Sequence, residues 1–154
     1  MAIEILIASD HGGTRLKSIL STHLADLGMI ATDLGPAADG APVDYPDYAA
    51  KMANSMRSND GVGILICGSG IGMSIAVNRY EWVRAALVND ETSAKLCREH
   101  NNANVIVLGE RLVGELTAIS CVNVFLNTDF AKGRHQRRVE KLSNSSSLLI
   151  PQEK

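Results

Sequence analysis

The stretch 62–72, VGILICGSGIG, constrains the fold of this chain more than any other. Val62–Cys67 is apolar throughout and too short for a helix, so it reads as a strand covered on both faces. The glycines at 68, 70 and 72 then lead directly into a helical pattern. A strand of that kind needs helices on both sides of its sheet. Residues 3–9 (IEILIAS), 29–33, 84–88 and 105–108 supply four more short strand candidates.

Helical patterns fill the intervals. Leu16, Ile19, Leu20, Leu24 and Leu27 fall on one face of a first helix, and Gly28 follows as its C′ stop. Asp44, as N-cap, and Pro46 open a second, with Tyr48, Ala49, Met52, Ala53 and Met56 turned inward. A third reaches about Tyr80, and a fourth runs from Asp90 to near Glu99. A fifth covers 112–126, and a charged sixth covers 134–142. This alternation predicts a doubly wound, three-layer α/β/α sandwich, Rossmann-like, with about five parallel strands. It is expected to be one domain over 1–154, with 143–154 as a polar tail.

Composition fits that picture and excludes others. Of 154 residues 45% are hydrophobic and 21% charged, which is a globular balance. Aromatics make up only 4%, so the core must be aliphatic. A net charge of −2 builds no field for nucleic acid, and no segment nears the ~20 apolar residues of a membrane span. Cys67, Cys97 and Cys121 fit neither a disulfide framework nor a zinc pattern, so reduced thiols in a cytoplasmic protein are expected. Cys97 and Cys121 read as helix packing residues, and His23 as lying at the border of the first helix's apolar face. Trp82 and Leu148-Leu149-Ile150 are candidates for a subunit contact.

In such folds ligands bind at the C-terminal ends of the strands. Three ends carry unusual residues: Asp10 and His11, then Cys67 with its glycines, then Gly109, Glu110 and Arg111. At a strand-to-helix turn, backbone amides can approach a ligand oxygen, and a thiol there is biased toward thiolate. Cys67 could equally be a buried apolar strand residue. Gly68 and Gly70 also begin a dinucleotide fingerprint, with Asp90 about where a ribose-binding acid would be. However, Met73 occupies the third glycine position, the motif does not follow the first strand, and Asp90 serves as an N-cap.

His100 and Asn101 precede the fifth strand, which places them at the opposite, N-terminal edge. A strand of about five residues puts them ~15–17 Å from Cys67 of the same chain. A catalytic His100 would therefore serve a neighbouring subunit, and a helix C-terminal histidine is the alternative. Arg134 and Arg138 share a helix face and suit a phosphate, or form a solvated basic surface.

Five segments in order carry a family resemblance: 8–13 (ASDHGG), 44–49 (DYPDYA), 64–72 (ILICGSGIG), 98–104 (REHNNAN) and 133–139 (GRHQRRV). Together they resemble the ribose-5-phosphate isomerase B family, which includes galactose- and allose-phosphate isomerases. The resemblance implies a cofactor-free, metal-free aldose–ketose isomerase that acts on a phosphosugar through a cis-enediolate. It implies Cys67 as the base between C1 and C2, because Met73 stands where some relatives use Glu. Asp10 would manage protons on O1 and O2. Ser69 and the Gly70, Ile71 and Gly72 amides, beside Gly68, would form the anion hole. His100 with Asn101 would open the furanose ring. His11, Arg134 and Arg138, with Arg111, would hold the phosphate, and Tyr45 would line the sugar pocket. It further implies a homodimer, or a tetramer, with sites shared between subunits. The sugar is expected to be ribose 5-phosphate, with allose, galactose or erythrulose phosphates as alternatives. A non-catalytic phosphosugar- or nucleotide-binding module is the alternative of another class.

Overall fold

The computed structural model describes residues 4–57 and 61–142. Residues 1–3 and the tail 143–154, including Leu148-Leu149-Ile150, lie outside the described residues. In chain order come β1 (Ile5–Ser9), a 3-10 turn (His11–Gly13), α1 (Thr14–Asp26), β2 (Ala31–Asp33) and α2 (Tyr45–Met56). Then come β3 (Val62–Cys67), α3 (Ile71–Val77), β4 (Ala85–Leu87), α4 (Glu91–Asn101) and β5 (Val105–Gly109). The described part closes with α5 (Glu115–Leu126), a second 3-10 turn (Gly133–His135) and α6 (Gln136–Leu142).

The five strands form one parallel sheet in the order β2-β1-β3-β5-β4. Alternation along the strands divides the core in two. Ile5, Ile7, Ile64, Ile66, Ile106 and Leu108 pack against α1, α4 and α5. Leu6, Ala8, Leu65, Cys67, Val105 and Val107 pack against α2 and α3. This is the expected three-layer sandwich. Phe125 and Tyr48 are the aromatics among the described buried core residues, and aliphatic side chains supply most of the rest.

Several boundaries differ from expectation. β2 begins at Ala31, two residues late, because it is an edge strand, and Ile30 is 88% exposed. α1 ends before Leu27, which is half-exposed, and the chain turns at Gly28 with φ +74°. The inner position that periodicity assigned to Ile19 or Leu27 is shared with Lys17, which is only 4% exposed. Its Nζ donates to Asp33 Oδ1 at 2.7 Å, to Oδ2 at 2.8 Å and to the Pro36 carbonyl at 2.7 Å. A buried ammonium is tolerated when its donors are met in this way.

α3 stops at Val77, short of Tyr80, where the Asn78 side chain bridges Ser74 to both backbone groups of Ala85. α4 continues past Glu99 to Asn101. Asp44 occupies the N-cap of α2 but makes no side-chain capping bond. Trp82 is tied to α2 by its Nε1, which donates to the Ala53 carbonyl at 2.8 Å. His23 bridges α1 to Asn123 of α5 at 2.8 Å. Among the described residues, no helix is long and apolar enough to cross a membrane.

Cys97 and Cys121 are buried packing residues, as expected. Burial pushes both thiols up to about 11 from an ordinary 9.0, despite the opposing pull of Arg98 on Cys97. Between those values the unfolded chain holds fewer protons than the folded one, so stability falls as pH rises through that window. Iodoacetamide at about pH 9 should therefore alkylate both thiols in urea-unfolded chain and leave them unmodified in folded protein. Equal labelling of the two states would contradict this.

Candidate active site

The chain leaves β1 for β2 on one side and returns to β3 on the other. The crevice at the C-terminal ends of β1 and β3 is thus a topological switch point, where α/β sheets bind ligands. Parallel pairing continues past the strands and sets the register of the loops. Ser9 pairs with Ile66, and the Asp10 amide donates to the Ile66 carbonyl at 3.1 Å. Cys67 pairs with Gly109, and the Glu110 and Arg111 amides donate to the carbonyls of Cys67 and Gly68 at 2.9 and 3.0 Å. Asp10, Cys67 and Arg111 are thereby brought to one edge.

Cys67 is 5% exposed, at the end of β3. The Gly70 amide donates to its Sγ at 3.0 Å. This turn requires glycine, since φ at Gly70 is +77° and a Cβ there would lie 2.4 Å from Leu87 Cδ1. One amide expected to meet a substrate oxygen is thus turned to the sulfur. The Ile71 amide faces the Ser69 hydroxyl at 3.4 Å. Met73, the next inward residue of α3, is fully buried and offers no base.

Around this turn the chain packs closely. Asp10 is 8% exposed, and its Oδ1 accepts from the Gly12 amide at 2.8 Å. The Arg111 guanidinium lies across Gly68, its Cζ 3.4 Å from where a Cβ would stand. The Tyr45 ring covers Gly72, where a Cβ would come within 2.8 Å of its Cζ. His11 anchors by Nδ1, 3.2 Å from both the amide nitrogen and the carbonyl oxygen of Val43. Beside it opens a cleft of about 590 Å³ lined by His11, Asp44, Tyr48 and Lys51, a volume suited to a small molecule.

His100, Asn101, Arg134 and Arg138 form a second cluster, at the other edge of the sheet. The Asn104 carbonyl, just after α4, accepts from Gly63 at the start of β3 (2.8 Å). The Ala131 amide donates to Glu99 at 3.0 Å, which brings the second 3-10 turn and α6 beside α4. A cleft of about 340 Å³ there is lined by His100, Asn101, His135, Arg138, Val139 and Leu142. Arg134 and Arg138 thus segregate with His100, and His11 and Arg111 with Cys67. Within one chain the expected phosphate-holding set is split in two. Asp90 is engaged by Ser93, whose amide and hydroxyl donate to its carboxylate at 2.8 and 2.9 Å, which fits a cap better than a ribose ligand.

Residues 5–142 match the sequence profile of the Ribose/Galactose Isomerase family. The chain belongs to this family. It is 45% identical over 144 residues to the probable ribose-5-phosphate isomerase B of Mycoplasma genitalium, covering 92% of this chain and 95% of that protein. It is 39% identical over 142 residues to the ribose-5-phosphate isomerase B of Escherichia coli K12, covering 91% and 94%. Among solved structures, the M. genitalium ribose-5-phosphate isomerase B with bound ribulose-5-phosphate superposes with a TM-score of 0.90 at 43% identity. That match covers 97% of this chain and 99% of the other. The Thermotoga maritima ribose 5-phosphate isomerase gives a TM-score of 0.89 at 46% identity, covering 93% and 99%.

As a ribose/galactose isomerase family member, this chain also has site features that its motifs did not reveal. The Glu110 carboxylate accepts from the Leu16 amide at 3.0 Å and so caps α1 from the loop that carries Arg111. The 33–36 turn is pinned by Lys17, and the Leu34 amide and Gly35 carbonyl bond back to β1. Both ties join segments far apart in sequence, so local spacing carries no sign of them.

Proposed function

We propose that this chain is an aldose–ketose isomerase interconverting D-ribose 5-phosphate and D-ribulose 5-phosphate through a cis-enediolate. The observation that carries the reading is the Cys67 sulfur, held by the Gly70 amide at the switch point between Asp10 and Arg111. His100 donates a proton to the ring oxygen as the C1–O4 bond breaks, and the O1 hydroxyl proton leaves to Asp10 as C1=O1 forms. The Cys67 thiolate then takes the C2 proton, and the electron pair moves through C1=C2 to O1. Ser69 and the Ile71 and Gly72 amides stabilise that oxyanion as preorganised donors. Asp10 gives O1 the proton it took at ring opening and takes the O2 proton as C2=O2 forms. Cys67 returns its proton to C1, and exchange with water resets Asp10 and His100. A thiol is suited to this work when its ionisation lies near ambient pH.

The two clusters are halves of one site, and a homodimer joins Cys67 of one protomer to His100 and Asn101 of the other. The phosphate then lies between His11 and Arg111 from one chain and Arg134 and Arg138 from its partner. Two features support this: the separation of the clusters, and Ile71 and Ile75, one turn apart on α3 at the site and 52% and 62% exposed. Tyr45, over Gly72, lines the sugar pocket.

The substrate assignment is tested by kcat/KM across four-, five- and six-carbon aldose phosphates. The highest value is expected for ribose 5-phosphate. A higher value for allose, galactose or a four-carbon sugar would replace the substrate and keep the mechanism. Absence of any isomerisation would overturn the reading.

A further inference from the structure

One feature of the second cluster has no part in the reaction as described. The His100 and His135 rings stack, with centroids 4.3 Å apart and planes within 9°. His100 closes α4, whereas His135 ends the 3-10 turn before α6, so the contact joins residues 35 apart in sequence. Two imidazoles at that separation cannot both carry a proton without strong repulsion. Arg134 Nε lies 3.4 Å from His135 Nε2, and Arg138 lines the same cleft.

The other charged groups nearby are largely engaged elsewhere. On α4, Glu99 pairs with Lys95 at 3.6 Å, and Arg98 donates to the Thr128 carbonyl at 3.2 Å. On α6, Glu140 accepts from Gln136 at 2.9 Å, and Arg137 and Lys132 add further positive charge to the segment. The field on the pair is therefore positive. His135 lies below the usual histidine range, first through partial desolvation and then through the charges of His100, Arg134 and Arg138.

We propose that His135 is a positioning residue for His100, and that an oxyanion seated on Arg134 and Arg138 makes the stacked pair take up a proton. The dianion neutralises the guanidinium field that opposes charge on the pair, so oxyanion binding and protonation favour each other. Linkage makes the effect reciprocal: oxyanion affinity rises as pH falls. The stack thus loads the proton needed at the ring oxygen when a phosphorylated sugar is bound. This consequence rests on the reading of His100 as the ring-opening acid.

Inorganic sulfate is the probe, because it stays a dianion where phosphate itself titrates. Calorimetry of sulfate binding to the intact protein near pH 7, in two buffers of different ionisation heat, reads the proton uptake. The wild type is expected to take up about half a proton or more per sulfate bound. His135→Phe, which keeps a flat ring against His100, should lose at least about half of that uptake and shift the acid limb of the kcat/KM profile. His135→Gln, a polar replacement, should lose the uptake as well. Equal heats in the two buffers for wild type, or uptake unchanged in both variants, would overturn the proposal. His100→Asn separates this from the reading beneath it. If that variant retained full activity on ribose 5-phosphate, the ring-opening role would fail, while the sulfate-linked uptake would be judged on its own result.

Discussion

Cys67→Ala is expected to lower kcat for ribose 5-phosphate by ~10²–10⁴-fold, the usual contribution of a positioned acid–base group. KM should change little, because the sulfur meets the reacting carbon and the phosphate is held elsewhere. The fold should survive, since Cys67 is a small member of a core otherwise filled by Leu65, Val107 and Met73. Cys67→Ser is the sharper variant. A hydroxyl still accepts from the Gly70 amide but does not ionise near neutral pH, so a merely structural cysteine would tolerate it. Comparable losses in both variants, with Tm near that of wild type, would locate the effect in proton transfer. A serine variant with wild-type kcat would remove Cys67 from the mechanism.

Mixing two inactive chains gives the second large effect. In a 1:1 mixture of Cys67→Ala and His100→Ala with free subunit exchange, about half of the dimers are mixed. Each mixed dimer has one site with both residues intact and one with neither. Activity should rise from background to about a quarter of the wild-type value. A site built within one chain would show no recovery, because no chain in the mixture carries both residues. Proven exchange without recovery would therefore contradict the shared site, and with it the placing of Arg134 and Arg138 opposite His11 and Arg111.

The legible parts of this fold were those written in local pattern. The apolar runs ending at Ser9, Cys67 and Leu108 became the three central strands, the last extended by Gly109, and the glycines after Cys67 mark a turn with positive φ at Gly70. What was not legible depends on partners distant in sequence. Periodicity placed Leu27 inside and passed over Lys17, since it cannot register that Asp33 and Pro36 supply three oxygens to a buried ammonium. The resemblance grouped His11 with Arg134 and Arg138 around one phosphate without showing which chain supplies each. Within one chain the sheet lies between them, so that grouping takes two chains. The placement of Cys67 and His100 at opposite edges of the sheet could be anticipated, because it follows from the order of strands and helices alone. The stacking of His100 on His135 could not, because it depends on how α6 returns against α4.

Solvent exchange tests the central claim most directly, because it follows the proton that Cys67 is said to carry. Ribose 5-phosphate incubated with enzyme in D₂O should gain deuterium at C2 in the recovered aldose and at C1 in the ketose. The Cys67→Ser variant should show neither above background. Isomerisation without deuterium uptake would point to transfer sheltered from solvent or to a hydride shift. Exchange at the wild-type rate in Cys67→Ser would contradict the account, since another group would then be moving the proton.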